Sequence, residues 1–108
     1  MTRVRVCSLQ EVPPGSVRLV RAAGREIALA NLGEAGLRAI DAICSHAHEY
    51  LTEGELDPQE RTIECPKHGS TFDLDTGRPR SLPATQPVEV FEVITENDDV
   101  WIEVRDGE

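Results

Sequence analysis

Two short motifs, each pairing a cysteine with a histidine, constrain this 108-residue chain more than any other feature. Cys44 and His46 are separated by one residue, Cys65 and His68 by two, and 18 residues lie between the motifs. Thiolates and imidazoles are common protein ligands of transition metals, and the two motifs together supply four of them. The fold must therefore bring two separate loops together around one metal centre.

The four side chains fit two different kinds of metal centre. Two thiolates and two imidazoles can hold a structural zinc ion in a tetrahedron. They can also hold a [2Fe–2S] cluster, with both cysteines on one iron and both histidines on the other. The spacing of the motifs leaves both alternatives open, so the flanking residues have to decide between them.

Outside these motifs the sequence predicts an all-β domain. Polar and apolar residues alternate as in half-buried strands, and turn-prone residues separate the runs. No long stretch has a helical period, and Ser8 and Glu11 have the capping-box spacing of a short helical turn only. The predicted strands are Arg3–Val6, Val17–Arg21, Glu26–Asn31, Leu37–Ile43, Arg61–Glu64, Phe72–Leu74, Val88–Ile94 and Val100–Val104.

The length fits a single domain, residues 1–108. The segment from about residue 43 to residue 84 is polar, irregular and rich in glycine and proline, and it contains all three histidines. We interpret it as a small ligand-bearing subdomain inserted between the strands of an antiparallel β-sandwich or barrel.

Charge limits the partners that this chain can bind. It carries 20 acidic and 11 basic residues, a net charge of −9, which excludes nucleic acid and is compatible with docking on a basic protein surface. The acidic stretch formed by Glu53, Glu55, Asp57 and Glu60 is interpreted as a solvated face, with a contribution to docking as the alternative. No apolar run is long enough to span a membrane or to form a secretion signal, so we expect no membrane contact and a cytoplasmic location.

The residues around the two motifs resemble the Rieske family. The matching segments are Cys44-Ser45-His46, then Cys65-Pro66-Lys67-His68-Gly69-Ser70-Thr71-Phe72-Asp73, then Thr76-Gly77, then a loop with Pro83. The resemblance extends from Val6 to Val104 and is strongest to the small soluble Rieske ferredoxins of ring-hydroxylating and other non-haem iron oxygenases. A similar stand-alone ferredoxin occurs beside iron–sulfur assembly genes in some bacteria. A structural zinc site does not require these flanking residues.

The resemblance implies one Rieske [2Fe–2S] cluster and assigns its ligands. Cys44 and Cys65 would hold the inner iron, and His46 and His68 the outer iron near the surface. The residues expected around the cluster without ligating it are Gly69, Ser70, Phe72 and Pro83, the last in a third loop that covers the cluster.

Three residues depart from the Rieske proteins of respiratory complexes. Those proteins carry a disulfide between the two ligand loops, where Glu49 and Lys67 stand here, and a tyrosine where Phe72 stands. Phenylalanine cannot donate the hydrogen bond by which a tyrosine hydroxyl stabilises the reduced cluster. We therefore predict a reduction potential in the lower part of the class range of about −150 to +300 mV, below about +100 mV.

The resemblance implies a monomeric one-electron carrier between a flavin-dependent reductase and a terminal non-haem iron oxygenase. We do not expect an enzyme, because a mononuclear iron needs two histidines and a carboxylate, and the cluster uses two of the three histidines. The alternative is a redox-sensing or accessory module linked to iron–sulfur cluster assembly. Of the two remaining candidates, Cys7 is predicted to be a partly exposed, inert thiol and His48 an exposed loop residue.

Overall fold

The computed structural model describes residues 2–45, 49–67, 69–82, 84 and 86–105, and in them it confirms the all-β prediction. Helical structure in the described part is confined to short 3-10 turns at Leu9–Glu11, Gly33–Ala35 and Leu51–Glu53, and no helix there is long and apolar enough to cross a membrane. The strands are β1 Thr2–Ser8, β2 Val17–Ala22, β3 Arg25–Asn31, β4 Leu37–Asp41, β5 Leu56–Asp57, β6 Thr62–Glu64, β7 Thr71–Asp73, β8 Val90–Glu96 and β9 Asp99–Val104.

The strands form two antiparallel sheets. The larger sheet has six strands in the order β1-β9-β8-β4-β3-β2, and its outer strands approach each other so that it curls into a nearly closed barrel. The smaller sheet has three strands in the order β5-β6-β7 and lies within the segment predicted as the inserted subdomain. The residues of this small sheet, which we call the subdomain, lie in the chain between β4 and β8 of the barrel.

Strand β3 separates two hydrophobic cores. Ile27 and Leu29 point into the barrel core, whereas the alternating small residues Ala28 and Ala30 pack on the other side against the subdomain. Successive side chains of a strand point to opposite faces, so a strand buried on both faces has a continuous apolar sequence. The small alanine side chains allow the subdomain to approach β3 closely.

Cys7 corrects one prediction, because its side chain is only 2% exposed and lies in the barrel core. In β1, Arg5 pairs with Trp101 but Cys7 pairs with the adjacent Val100, so a bulge falls between Arg5 and Cys7. An extra residue in one strand reverses the alternation beyond it, which turns Cys7 inward. Burial raises the pKa of the Cys7 thiol, and the nearby Glu11 carboxylate raises it further.

The predicted strand ends need smaller corrections. β4 ends at Asp41 rather than Ile43, β8 begins at Val90 rather than Val88, and β5 was not predicted. Val88 donates its N–H to the Gly77 carbonyl at 2.8 Å, so this backbone is bound to the subdomain rather than to β4. The predicted helical turn is confirmed at Leu9–Glu11, where the Ser8 N–H donates to the Glu11 carboxylate at 2.8 Å.

Candidate metal centre

The first cysteine lies where a narrow hairpin begins to turn. Ile43 and Tyr50 form an antiparallel bridge, and the Cys44 N–H donates to the Glu49 carbonyl at 2.9 Å. Below this bridge, the Leu51 N–H donates to the Ala42 carbonyl at 2.7 Å. We call residues 44–49 the first ligand loop; its base is closed by these backbone hydrogen bonds.

The second cysteine occupies the same position in a second hairpin. Glu64 pairs with Thr71 at the end of β6 and β7, and beyond this pair the Cys65 N–H donates to the Ser70 carbonyl at 2.7 Å. Gly69 has φ +73° and donates its N–H back to the Cys65 carbonyl at 3.0 Å. A positive φ favours glycine, so the predicted role of Gly69 next to the site is that of a turn residue. Residues 65–70 are the second ligand loop.

The two cysteines belong to one buried cluster of side chains. Cys44 is 4% exposed and Cys65 is 0% exposed, and both pack in the core between the barrel and the subdomain. Phe72 is fully buried in the same core, and its predicted place around the cluster stays a prediction. No disulfide links any of the three cysteines, all of which are described. Two thiols held together and shielded from water match the inner-iron half of a cluster site.

Serine hydroxyls attach a third loop, residues 81–86, to both ligand loops. Ser45, next to Cys44, donates its hydroxyl to the Gln86 carbonyl at 2.6 Å. Ser70, which is 0% exposed, accepts the Ala84 N–H at 3.0 Å, and Ser81 accepts the Thr71 N–H at 2.9 Å. The third loop is therefore bound to both ligand loops, with Ser70 as its partner in the second one.

An ion pair between Arg38 and Asp75 fixes the turn after β7 to the barrel. Asp75, in the turn after β7, accepts a hydrogen bond from Arg38 of β4 at 2.6 Å and lies 3.4 Å from the Arg61 guanidinium. The hydrogen bond from Arg38 holds the pKa of the Asp75 carboxyl below its usual value. In the same turn, a Cβ on Gly77 would lie 2.1 Å from the Val88 carbonyl oxygen, so only glycine allows this contact with the returning chain.

The first ligand loop is also attached to β3. The Tyr50 hydroxyl donates to the Glu26 carboxylate at 2.8 Å, and Arg21 pairs with the same carboxylate at 3.1 Å. The hydrogen bond to Glu26 raises the pKa of the Tyr50 hydroxyl. The aromatic ring after the loop thus anchors it to the barrel.

A charged pair joins the two ligand loops directly. The Lys67 ammonium lies 3.7 Å from the Glu49 carboxylate, and both side chains are partly open to solvent. An ion pair, and not a disulfide, therefore links the two ligand loops at these positions.

The predicted residues are placed as follows. Cys44, Cys65, Gly69, Ser70 and Phe72 come together at the two ligand loops. His46, His48, His68 and Pro83 lie outside the described residues, so their predicted roles stay predictions. The acidic stretch at Glu53, Glu55, Asp57 and Glu60 is exposed, as predicted for a solvated face.

Sequence reasoning missed Ser45, Arg38 and Asp75. A hydroxyl residue directly after a ligand cysteine was the signal for Ser45. No local sequence pattern predicts the Arg38–Asp75 pair, because its two residues are 37 positions apart in the chain.

The family profile described as the Rieske [2Fe-2S] domain matches residues 2–92. The chain belongs to the Rieske [2Fe–2S] family. A Rieske domain implies one [2Fe–2S] cluster, and the two buried thiols at the bases of adjacent loops fit this group. Sulfur ligands suit iron–sulfur clusters, and burial in an apolar core limits the access of water to the two thiols.

Similar proteins cover nearly the whole length of this Rieske chain. A protein of Photorhabdus laumondii, named as a 3-phenylpropionate/cinnamic acid dioxygenase ferredoxin subunit, is 34% identical over 106 residues, 98% of each chain. The ferredoxin of carbazole 1,9a-dioxygenase from Nocardioides aromaticivorans has a TM-score of 0.91 and 31% identity, over 97% of this chain and 100% of that one. A chain from a complex of reduced oxygenase and oxidized ferredoxin in carbazole 1,9a-dioxygenase has a TM-score of 0.83 and 36% identity, over 93% of this chain and 91% of that one.

Proposed function

We propose that this chain is the Rieske ferredoxin of a dioxygenase system, a one-electron carrier that takes electrons from a flavin-dependent reductase and passes them to a terminal non-haem iron oxygenase. The observation that carries the proposal is the pair of buried cysteines at the bases of two joined loops. Full-length similarity to chains named as ferredoxin subunits supports it. A solved complex of such a ferredoxin with its oxygenase supports the second partner.

The proposed ligands are Cys44 and Cys65 on one iron and His46 and His68 on the other. When bound, the cluster supplies a one-electron couple, with a charge that changes from 0 to −1 on reduction because neutral histidines add no charge. The core around Phe72 keeps water from the two thiolates, and serine hydroxyls bind the third loop to both ligand loops. Charge on a buried group is costly, so this ligand set favours reduction relative to a four-cysteine cluster.

The proposal also covers the organisation of the chain. It treats residues 1–108 as one domain with a cluster-binding subdomain at about 43–84, and the protein as a cytoplasmic monomer that is an electron-transfer component, not an enzyme by itself. Contacts between electron carriers and their partners are small and transient, below about 1,200 Å². No observation favours the alternative, a redox-sensing or accessory module of cluster assembly.

Reconstitution tests the carrier function. The purified holoprotein is added to the reductase and oxygenase of a 3-phenylpropionate dioxygenase system from which the ferredoxin has been omitted, and product formation is measured. We expect turnover that rises with added protein and no turnover with the Cys65→Ala variant. A protein that the reductase reduces but that never supports product formation would contradict the proposal and favour the sensor.

Two further measurements test the cluster itself. Visible absorption that bleaches on reduction identifies an iron–sulfur cluster, whereas a zinc site is colourless. A redox titration should give a midpoint below about +100 mV, since Phe72 cannot donate a hydrogen bond to the cluster region.

A further inference from the structure

The ion pair between Glu49 and Lys67 differs from the other contacts of the site in the two elements that it joins. The serine hydrogen bonds act through the third loop, and the Asp75 and Tyr50 contacts fix the subdomain and the first loop to the barrel. The Glu49–Lys67 pair joins one ligand loop to the other at 3.7 Å.

Both partners are close in the chain to the ligand cysteines. The carbonyl of Glu49 accepts the N–H of Cys44, so a movement of Glu49 pulls on the first ligand loop. Lys67 lies two residues after Cys65, inside the second ligand loop, which the Cys65–Ser70 backbone hydrogen bond closes. A force between these two side chains therefore acts on the separation of the two cysteine-bearing loops.

We propose that Glu49 and Lys67 form an electrostatic clamp that holds the two ligand loops closed over the cluster and slows its loss. The inference rests on the proposed cluster and concerns its retention rather than its partners. A clamp of this kind does not depend on an oxidising environment, as a disulfide does. It does depend on ionic strength, because dissolved salt screens charges that are open to solvent.

The size of the effect follows from exposure. The side chains of Lys67 and Glu49 are 63% and 35% exposed, and ion pairs in such settings contribute up to about 1 kcal/mol. This corresponds to about a 5-fold change in an equilibrium between closed and open loops. We expect the clamp to change the lifetime of the cluster by about 2- to 5-fold and to leave overall folding unchanged.

The experiment compares the holoprotein with Glu49→Gln, Lys67→Gln and the charge-exchanged double variant Glu49→Lys/Lys67→Glu. The loss of visible absorption is followed with excess EDTA at low salt and in 1 M NaCl. At low salt both single variants should lose the cluster about 2- to 5-fold faster than the parent, and the exchanged pair should regain most of the difference. In 1 M NaCl the parent should approach the single variants.

The reduction potential separates an electrostatic role from a purely structural one. Lys67→Gln removes a positive charge near the cluster and leaves Glu49 unbalanced, so the potential should fall. Glu49→Gln leaves Lys67 unbalanced, so the potential should rise. Opposite shifts show that both charges act on the cluster, and the salt dependence and the recovery of the exchanged pair show that they act together; shifts of the same sign contradict the clamp.

An ion pair in the barrel provides the matched control. Arg5 and Asp99 lie 2.9 Å apart with side chains 49% and 38% exposed, between β1 and β9. Arg5→Gln should leave cluster lifetime and potential unchanged. Equal lifetimes of the parent and the Glu49 and Lys67 variants at low salt, or failure of the exchanged pair to recover, would overturn the clamp. The clamp can therefore fail while the reconstitution assay still succeeds, and the lifetimes of the cluster can still be measured if reconstitution fails.

Discussion

The barrel core and the core beneath the ligand loops are built in different ways. The barrel core is formed by alternating side chains of regular strands, with Ile102, Val100 and Phe91 among its members. The core beneath the ligand loops contains Ile63 and Phe72 from short strands, but also Cys44, Cys65 and Ala84 from loops. Its loops are held by side-chain hydrogen bonds and ion pairs as well as by apolar contact.

This difference has a consequence for function. The barrel can tolerate a weakened ligand region, because its own ladder of paired strands does not include the subdomain. The ligand region depends on the barrel, since Arg38, Glu26 and the alanine face of β3 all hold it in place. Loss of the cluster and loss of the fold should therefore be separable by mutation.

The largest expected effect is the loss of the cluster when the buried thiol of Cys65 is removed, compared with removal of the buried thiol of Cys7. Cys65→Ala removes a proposed iron ligand, so the purified variant should lack the visible absorption of the cluster and bind less iron. Cys7→Ala removes an equally buried thiol from the barrel core and should retain both. An unchanged spectrum in the Cys65→Ala variant would contradict the ligand assignment.

A second pair of variants compares the apolar packing of the two cores. Ile102→Ala and Ile63→Ala each truncate a fully buried side chain, and each should lower the free energy of unfolding by about 2–5 kcal/mol. Only Ile63→Ala should also speed the loss of the cluster under native conditions. Urea unfolding followed by far-UV circular dichroism measures the free energy of unfolding, and bleaching of the visible absorption measures the loss of the cluster. Equal rates of bleaching would show that the cores are not independent.

A smaller effect is expected at Ser70. Ser70→Ala leaves the Ala84 N–H without its acceptor in a buried position, at a cost of about 1–3 kcal/mol in the free energy of unfolding. Ser16, whose hydroxyl donates to the Pro13 carbonyl at the surface, is the matched serine on the barrel side. Ser16→Ala should change the same free energy by less than about 0.5 kcal/mol. Equal costs for the two serines would contradict the role given to the third loop.

The smallest effect is expected at Asp75 and depends on pH. The hydrogen bond from Arg38 lowers the pKa of the folded Asp75 carboxyl, so its contribution is present above the unfolded pKa and is lost as pH falls through the folded pKa. Asp75→Asn should therefore be less stable than the parent near neutral pH, and the difference should shrink below about pH 4. Thermal unfolding across this range measures it. A difference that grows toward low pH would contradict the assignment.

Much of the fold and of the candidate site could be predicted from residue patterns. The run at 99–104 is a strand because polar–apolar alternation buries one face of an extended chain, whereas the continuous apolar run within 25–31 is a strand buried on both faces. The two cysteine–histidine motifs and their flanks identified the Rieske family, since a cluster needs those ligand types at close spacing. The short strand β5 was not found, because two residues are too few for a periodic signal.

The sequence alone determined the family, the all-β class and the residues that can carry the cluster, because these depend on residue type and local period. Only the tertiary structure decided that Cys7 points inward, that serines bind the third loop and that Glu49 meets Lys67. The physical reason is that a bulge depends on the partner strand, and contacts between loops depend on how the strands beneath them are packed. In the two ligand loops, residue type supplied the chemistry and the packed strands supplied the contacts.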